Sequence, residues 1–140
     1  MDVSVGRRRR PRVLVIEDDA RIRELFCEWL DAMDCAADSA PGGGEGLELF
    51  DRGSYDLLVT DLMMPGLNGW QVVAAARRRD PALPVIMITG SAANIDFGHV
   101  REASVTLLEK PLSLRDFKAA VSRLLGARLA RAADPQTSES

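Results

Sequence analysis

Apolar and polar positions alternate between two periods along the chain. Val13-Leu14-Val15-Ile16 is a short, wholly apolar and largely β-branched run, as a strand covered on both faces requires. The pattern then changes. Ile22, Leu25, Phe26, Trp29, Leu30 and Met33 recur at helical spacing, with Arg21, Arg23, Glu24 and Glu28 on the other side. This predicts an amphipathic helix with the whole stripe inward and Asp19 capping its first turn. Residues 35–40 predict a weak second strand. Pro41-Gly42-Gly43-Gly44 then reads as a flexible turn, because it lacks the spacings of phosphate-binding loops. A short helix with Leu47 and Phe50 inward follows.

The same alternation repeats to the end. Residues 56–60 predict a third strand leading to Asp61, and Pro65-Gly66 and Asn68-Gly69 mark tight turns. A helix over about 70–79, capped by Asn68, stops at Asp80-Pro81. Residues 84–88 form a fourth apolar run, ending at Thr89-Gly90-Ser91. A short helix is expected around 95–101, weakened by Gly98. Residues 105–108 are the fifth strand and stop at Glu109-Lys110-Pro111. Ser113 is placed to cap a last helix whose inner stripe is Leu114, Phe117, Val121, Leu124 and Leu125.

Five strands alternating with five helical patterns predict one α/β domain, with a parallel sheet covered by helices on both faces. The chain has 140 residues, enough for one such core. The expected domain spans residues 12–131, between a basic tail at 1–11 and a polar tail at 132–140, both expected to be disordered. In such a sheet all strand carboxyl ends share one edge, where ligands bind. Glu17, Asp18, Asp61, Thr89 and Lys110 thereby become neighbours.

Charge narrows the function. The net charge is −3, but five of the 18 basic residues and one of the 21 acids lie within residues 1–12. The remainder carries 13 basic and 20 acidic side chains, which argues against nucleic-acid binding by the domain itself. The Arg7–Arg10 run reads as a solvated tail rather than a phosphate or lipid contact. No apolar run approaches a membrane span, and the amino end has no secretory h-region, so a cytoplasmic protein is expected. Cys27 and Cys35 lack zinc-site spacing and are expected to be small core or boundary residues. His99 is expected at the surface, Trp29 in the core, and Trp70 partly exposed.

Three carboxylates at one edge repel, by about 4 kcal/mol per pair at 4 Å and an effective dielectric near 20. The cluster must hold a proton or a cation. Oxygen donors at an open edge suit a hard divalent ion, Mg²⁺ first. Lys110 adds a compact cation for a phosphoryl oxygen, and Thr89 adds a hydroxyl. Carboxylate, Mg²⁺, Lys and hydroxyl are what phosphoryl transfer to Asp61 as nucleophile needs.

Four motifs carry a family resemblance. They are Val15-Ile16-Glu17-Asp18-Asp19, Thr60-Asp61-Leu62-Met63-Met64-Pro65-Gly66, Ile88-Thr89-Gly90 and Glu109-Lys110-Pro111. In that order the chain resembles a receiver domain of bacterial two-component response regulators over about residues 12–125. The resemblance implies a CheY-like, flavodoxin-like (βα)5 sandwich with strand order 2-1-3-4-5. It implies Asp61 as the phosphoacceptor, Asp18 as direct Mg²⁺ ligand, Glu17 as a ligand through water, and the Met63 backbone carbonyl as a further ligand. Thr89 and Lys110 would meet the phosphoryl group, Asp19 matches neither metal role, and Lys110–Pro111 is a candidate cis bond. The implied partners are a histidine kinase or histidine phosphotransfer protein, with signalling by protein contact or phosphorelay. Pairing of two copies through the fourth-helix face is common in the family.

One departure stands out. The family usually places an aromatic residue three positions before the Lys, where this chain has Leu107. With no effector module after Leu125, a stand-alone receiver is expected, without direct DNA contact. Two other readings remain open: a degenerate receiver that only binds partners, and a haloacid-dehalogenase-like phosphatase. The latter needs a second acid two residues after the nucleophile, and Met63 occupies that position.

Overall fold

β-Branched and apolar side chains drive strand formation wherever helices can cover both faces. The computed structural model, which describes residues 9–133, places the strands at β1 (Arg12–Ile16), β2 (Ala36–Ala40), β3 (Leu57–Asp61), β4 (Val85–Thr89) and β5 (Thr106–Glu109). The helices are α1 (Ala20–Ala32), α2 (Gly43–Arg52), α3 (Gly69–Arg79), α4 (Phe97–Glu102) and α5 (Leu114–Ala133). All pairings are parallel, in the order β2-β1-β3-β4-β5. The (βα)5 architecture and strand order expected from the sequence are therefore present.

Successive residues of each central strand serve opposite layers. Val13, Val15, Leu57, Val59, Ile86 and Ile88 join Phe26 and Leu30 of α1 and Phe117 and Val121 of α5. Leu14, Ile16, Leu58, Val85 and Met87 join Phe50 of α2 and Val72 and Val73 of α3. Each fully buried side chain of this kind contributes about 1.5–3 kcal/mol relative to exposure. The rigid sheet so formed fixes the height of every strand end.

Local signals set the helix starts. The Asp19 carboxylate accepts from Arg21 N and Ile22 N, and the Ser113 hydroxyl accepts from Asp116 N. Asn68 and Gln71 form a reciprocal capping box at α3. The Lys110–Pro111 bond is cis.

Three expectations need correction. Leu25 and Leu114 are 40% and 48% exposed, not inward. Leu25 borders an apolar cleft with Trp29 and Pro111, and Leu114 is the first residue of α5. The glycine-rich segment is not a loose turn. Gly43 already belongs to α2, and a Cβ there would stand 2.8 Å from both Leu67 Cβ and Val72 Cγ2. Gly43 allows close approach of α2 to Leu67 and Val72. At the amino end, Arg9 pairs with Asp56, and Arg10 with Asp31, Asp34 and the Cys35 carbonyl. These contacts join Arg9 and Arg10 to the fold, and α5 runs to Ala133. The rest of both expected tails, 1–8 and 134–140, lies outside the described residues. No helix among the described residues is long and apolar enough to cross a membrane.

Candidate functional site

The sheet's carboxyl edge gathers the residues singled out above. Glu17 follows β1, Asp61 closes β3, Thr89 closes β4 and Lys110 follows β5. Asp61 is held by strand register opposite Ile88, and the next amide, Leu62 N, donates to the Ile88 carbonyl at 2.8 Å. The loop after it returns through Gly66, at φ +80°, to Gly69, whose amide donates to the Leu62 carbonyl at 2.8 Å. Gly69 sits so close that a Cβ would lie 2.5 Å from the Asp61 carbonyl oxygen. α3 thus begins directly on the backbone of Asp61.

Glu17 and Asp61 are buried, at 1% and 4% exposure, while Asp18 is exposed. The edge is therefore less open than expected. Carboxylate oxygens of Glu17, Asp18 and Asp61 lie within 4.8 Å of one another. Lys110 Nζ stands 3.3 Å from Glu17 Oε1 and 3.3 Å from Asp61 Oδ1. The second Glu17 oxygen accepts from Asp19 N at 3.0 Å, and Arg23 donates to the Glu17 carbonyl at 2.8 Å. Yet Glu17 Oε1 and Asp61 Oδ1 are buried and accept no hydrogen bond among the described residues.

Burial, and then the Glu17 carboxylate beside it, push the Asp61 carboxyl far above its ordinary range, to about 8. Burial alone would lower the Lys110 ammonium. The Asp61 and Glu17 charges outweigh it and raise the Lys instead. One ammonium serves three carboxyl groups, and the two buried oxygens it stands beside accept no hydrogen bond among the described residues. An all-oxygen donor set of this kind fits a hard divalent cation such as Mg²⁺.

Thr89 is buried beside this cluster, but its hydroxyl faces its own loop. It donates to the Ser91 carbonyl at 2.9 Å and accepts from Ser91 N at 3.2 Å. Met63 lies two residues past Asp61 with its side chain 74% exposed. Leu107 is half-buried and packs into the apolar layer under α3, opposite Met87 in register.

Three contacts around the site escaped the sequence. The Glu109 carboxylate accepts from Ala92 N at 3.1 Å, pinning the loop after Thr89. The Trp70 ring, on the first turn of α3, lies 4.2 Å from the His99 ring of α4, centroid to centroid. Arg77, two turns along the same face of α3, donates to the carbonyls of Leu83, Ala103 and Ser104. The short α4 is therefore joined to α3 through His99 and through the turn that follows it. The polarity of Glu109 and the isolated aromatics Trp70 and His99 were the only signals for these contacts.

The chain is similar to known proteins over most of its length. The family model described as "Response regulator receiver domain" matches residues 13–122. The transcriptional regulatory protein ResD of Bacillus subtilis (strain 168) is 35% identical over 115 residues, covering 81% of this chain and 48% of ResD. The transcription factor SKN7 of Chaetomium thermophilum is 33% identical over 141 residues, covering 98% of this chain and 18% of that protein. The chain thus spans less than half the length of either relative. Among solved structures, the response regulator TrrA of Thermotoga maritima, in complex with Mg²⁺–BeF, superposes with a TM-score of 0.71 at 30% identity, over 81% of this chain and 98% of that one. A CheY-like receiver protein from Methanospirillum hungatei gives 0.81 at 23% identity, over 87% and 98%, which speaks to the fold alone.

Proposed function

The chain belongs to the response regulator receiver domain family, and from that premise we propose that Asp61 is its phosphoacceptor, supplied by a histidine kinase or a histidine phosphotransfer protein. One observation carries the reading: Asp61 Oδ1 is buried and accepts no hydrogen bond among the described residues, within an acidic cluster and 3.3 Å from the Lys110 ammonium. A carboxylate so placed is destabilised as a bystander and useful as a nucleophile.

In the proposed step an Asp61 oxygen attacks the phosphorus of a phosphohistidine. The new P–O bond forms as the P–N bond breaks, and the imidazole nitrogen keeps the electron pair and takes up a proton. Asp18, Asp61 and the Met63 carbonyl would hold Mg²⁺, with Glu17 acting through water, and the ion would supply charge neutralisation for the phosphoryl oxygens. Lys110, already 3.3 Å from Asp61, pairs with one of those oxygens. Thr89 contributes its hydroxyl after leaving Ser91. The likeness to TrrA, solved with Mg²⁺–BeF, supports this assignment. The output is a phosphorylation-dependent contact with another protein or a relay of the phosphoryl group.

The test is acetyl phosphate with Mg²⁺, read by intact-mass spectrometry on wild type and Asp61→Ala. Mg²⁺-dependent phosphorylation confined to wild type is expected. Equal labelling of the variant, or none in wild type, defeats the assignment.

A further inference from the structure

Thr89 has one hydroxyl proton, and the Ser91 carbonyl holds it. It cannot donate to that carbonyl and to a phosphoryl oxygen at once. Because Thr is β-branched, the exchange is a hop between discrete rotamers. The position of the Ser91 carbonyl therefore decides how easily Thr89 is released.

That position is set by a short chain of contacts. Ser91 Oγ accepts from Ala93 N at 3.2 Å, a bond internal to the loop. The anchor from outside the loop is Glu109, whose Oε2 takes the Ala92 amide. Glu109 is the register partner of Thr89 on the adjacent strand, and Lys110 N donates to the Thr89 carbonyl at 2.8 Å. Hydroxyl and carboxylate thus stand on one strand pair, and the Glu109 carboxylate holds the Gly90–Ala92 turn to it through the Ala92 amide.

We propose that Glu109 is a positioning residue. It clasps the turn in the form in which Ser91 retains the Thr89 hydroxyl, and so restrains occupancy of the phosphoryl site. This rests on the reading of Asp61 as phosphoacceptor with Thr89 as its hydroxyl partner. Losing one hydrogen bond of this kind shifts a two-state equilibrium by roughly threefold to tenfold.

The probe is beryllofluoride with excess Mg²⁺, its dissociation constant read by ¹⁹F NMR. The proteins are wild type, Glu109→Ala, Glu109→Gln, Thr89→Ala and the Thr89→Ala/Glu109→Ala double variant. Glu109→Ala should bind roughly threefold to tenfold more tightly. Glu109→Gln keeps the acceptor without the charge and should match wild type. In the double variant the gain should vanish, leaving the affinity of Thr89→Ala. Equal tightening in Glu109→Gln and Glu109→Ala would make the effect one of charge and overturn the clasp. Unchanged affinity in Glu109→Ala, with weaker binding in Thr89→Ala, overturns the clasp but leaves the Thr89 role standing. Unchanged affinity in Thr89→Ala removes the role of Thr89 and the clasp with it.

Discussion

Replacing Asp61 by Asn should stabilise the metal-free protein at neutral pH. Glu17 and Asp61 carboxylate oxygens lie within 4.8 Å of each other, and keeping both ionised at an effective dielectric near 20 would cost about 3–4 kcal/mol, so at neutral pH the folded protein holds a proton on Asp61 instead. Lys110, 3.3 Å from both, returns part of this. Solvent reaching the site past exposed Asp18 screens more, leaving a net cost of about 1–3 kcal/mol. The pH dependence follows from the raised Asp61 carboxyl, from 3.8 to about 8. Between those values the folded protein holds a proton that the unfolded chain releases. Metal-free wild type therefore loses stability as pH rises through the interval and keeps the full contribution below about pH 4. Lys110, raised above 10.5, stays charged throughout. Urea unfolding should show a higher midpoint for Asp61→Asn at neutral pH with an unchanged slope, and near-equality with wild type at about pH 4. Added Mg²⁺ should close the gap by stabilising wild type more. Equal stability at neutral pH, or a gain that persists in acid, would refute the reasoning.

Two further outcomes are expected. Gly69→Ala drives a Cβ against the Asp61 carbonyl and Leu62 Cα, which are backbone and cannot rotate away. It should cost about 1–3 kcal/mol in urea unfolding and depress acetyl phosphate labelling of Asp61 beyond what the unfolded fraction explains. Arg77→Met strips the carbonyls of Ala103 and Ser104 of their donor at the end of α4. Amide hydrogen exchange over residues 97–104 should speed up by more than tenfold, with a global loss of about 1–2 kcal/mol.

What could be read in advance follows from how information is written along a chain. The runs at Val13–Ile16, Leu57–Val59 and Val85–Ile88 announce buried strands because every position is apolar. The alternation then forces their polar ends onto one edge, and so brings Glu17, Asp61 and Lys110 together. Capping by Asp19, Asn68 and Ser113 is equally local. Leu25 and Leu114 were misjudged because a helical stripe does not say which of its positions a neighbouring element covers. Gly43 was misjudged because close packing and flexibility both ask for the same residue. The Glu109–Ala92, Trp70–His99 and Arg77–Ala103 contacts join distant segments through single side chains, and no periodicity marks them. Thr89 was placed at the site, but the hold of Ser91 on its hydroxyl depends on backbone geometry that residue types do not specify.

The strand order has a kinetic corollary. β1 lies between β2 and β3, so pairing β1 with β3 brings Glu17 and Asp18 to Asp61. Lys110 comes only with β5, at the far edge. Any partly folded state that joins β1 to β3 before β5 docks carries the carboxylates without their ammonium. Their repulsion then acts on the folding barrier, and a divalent cation in the refolding buffer should speed the first sheet pairing as well as stabilise the finished domain.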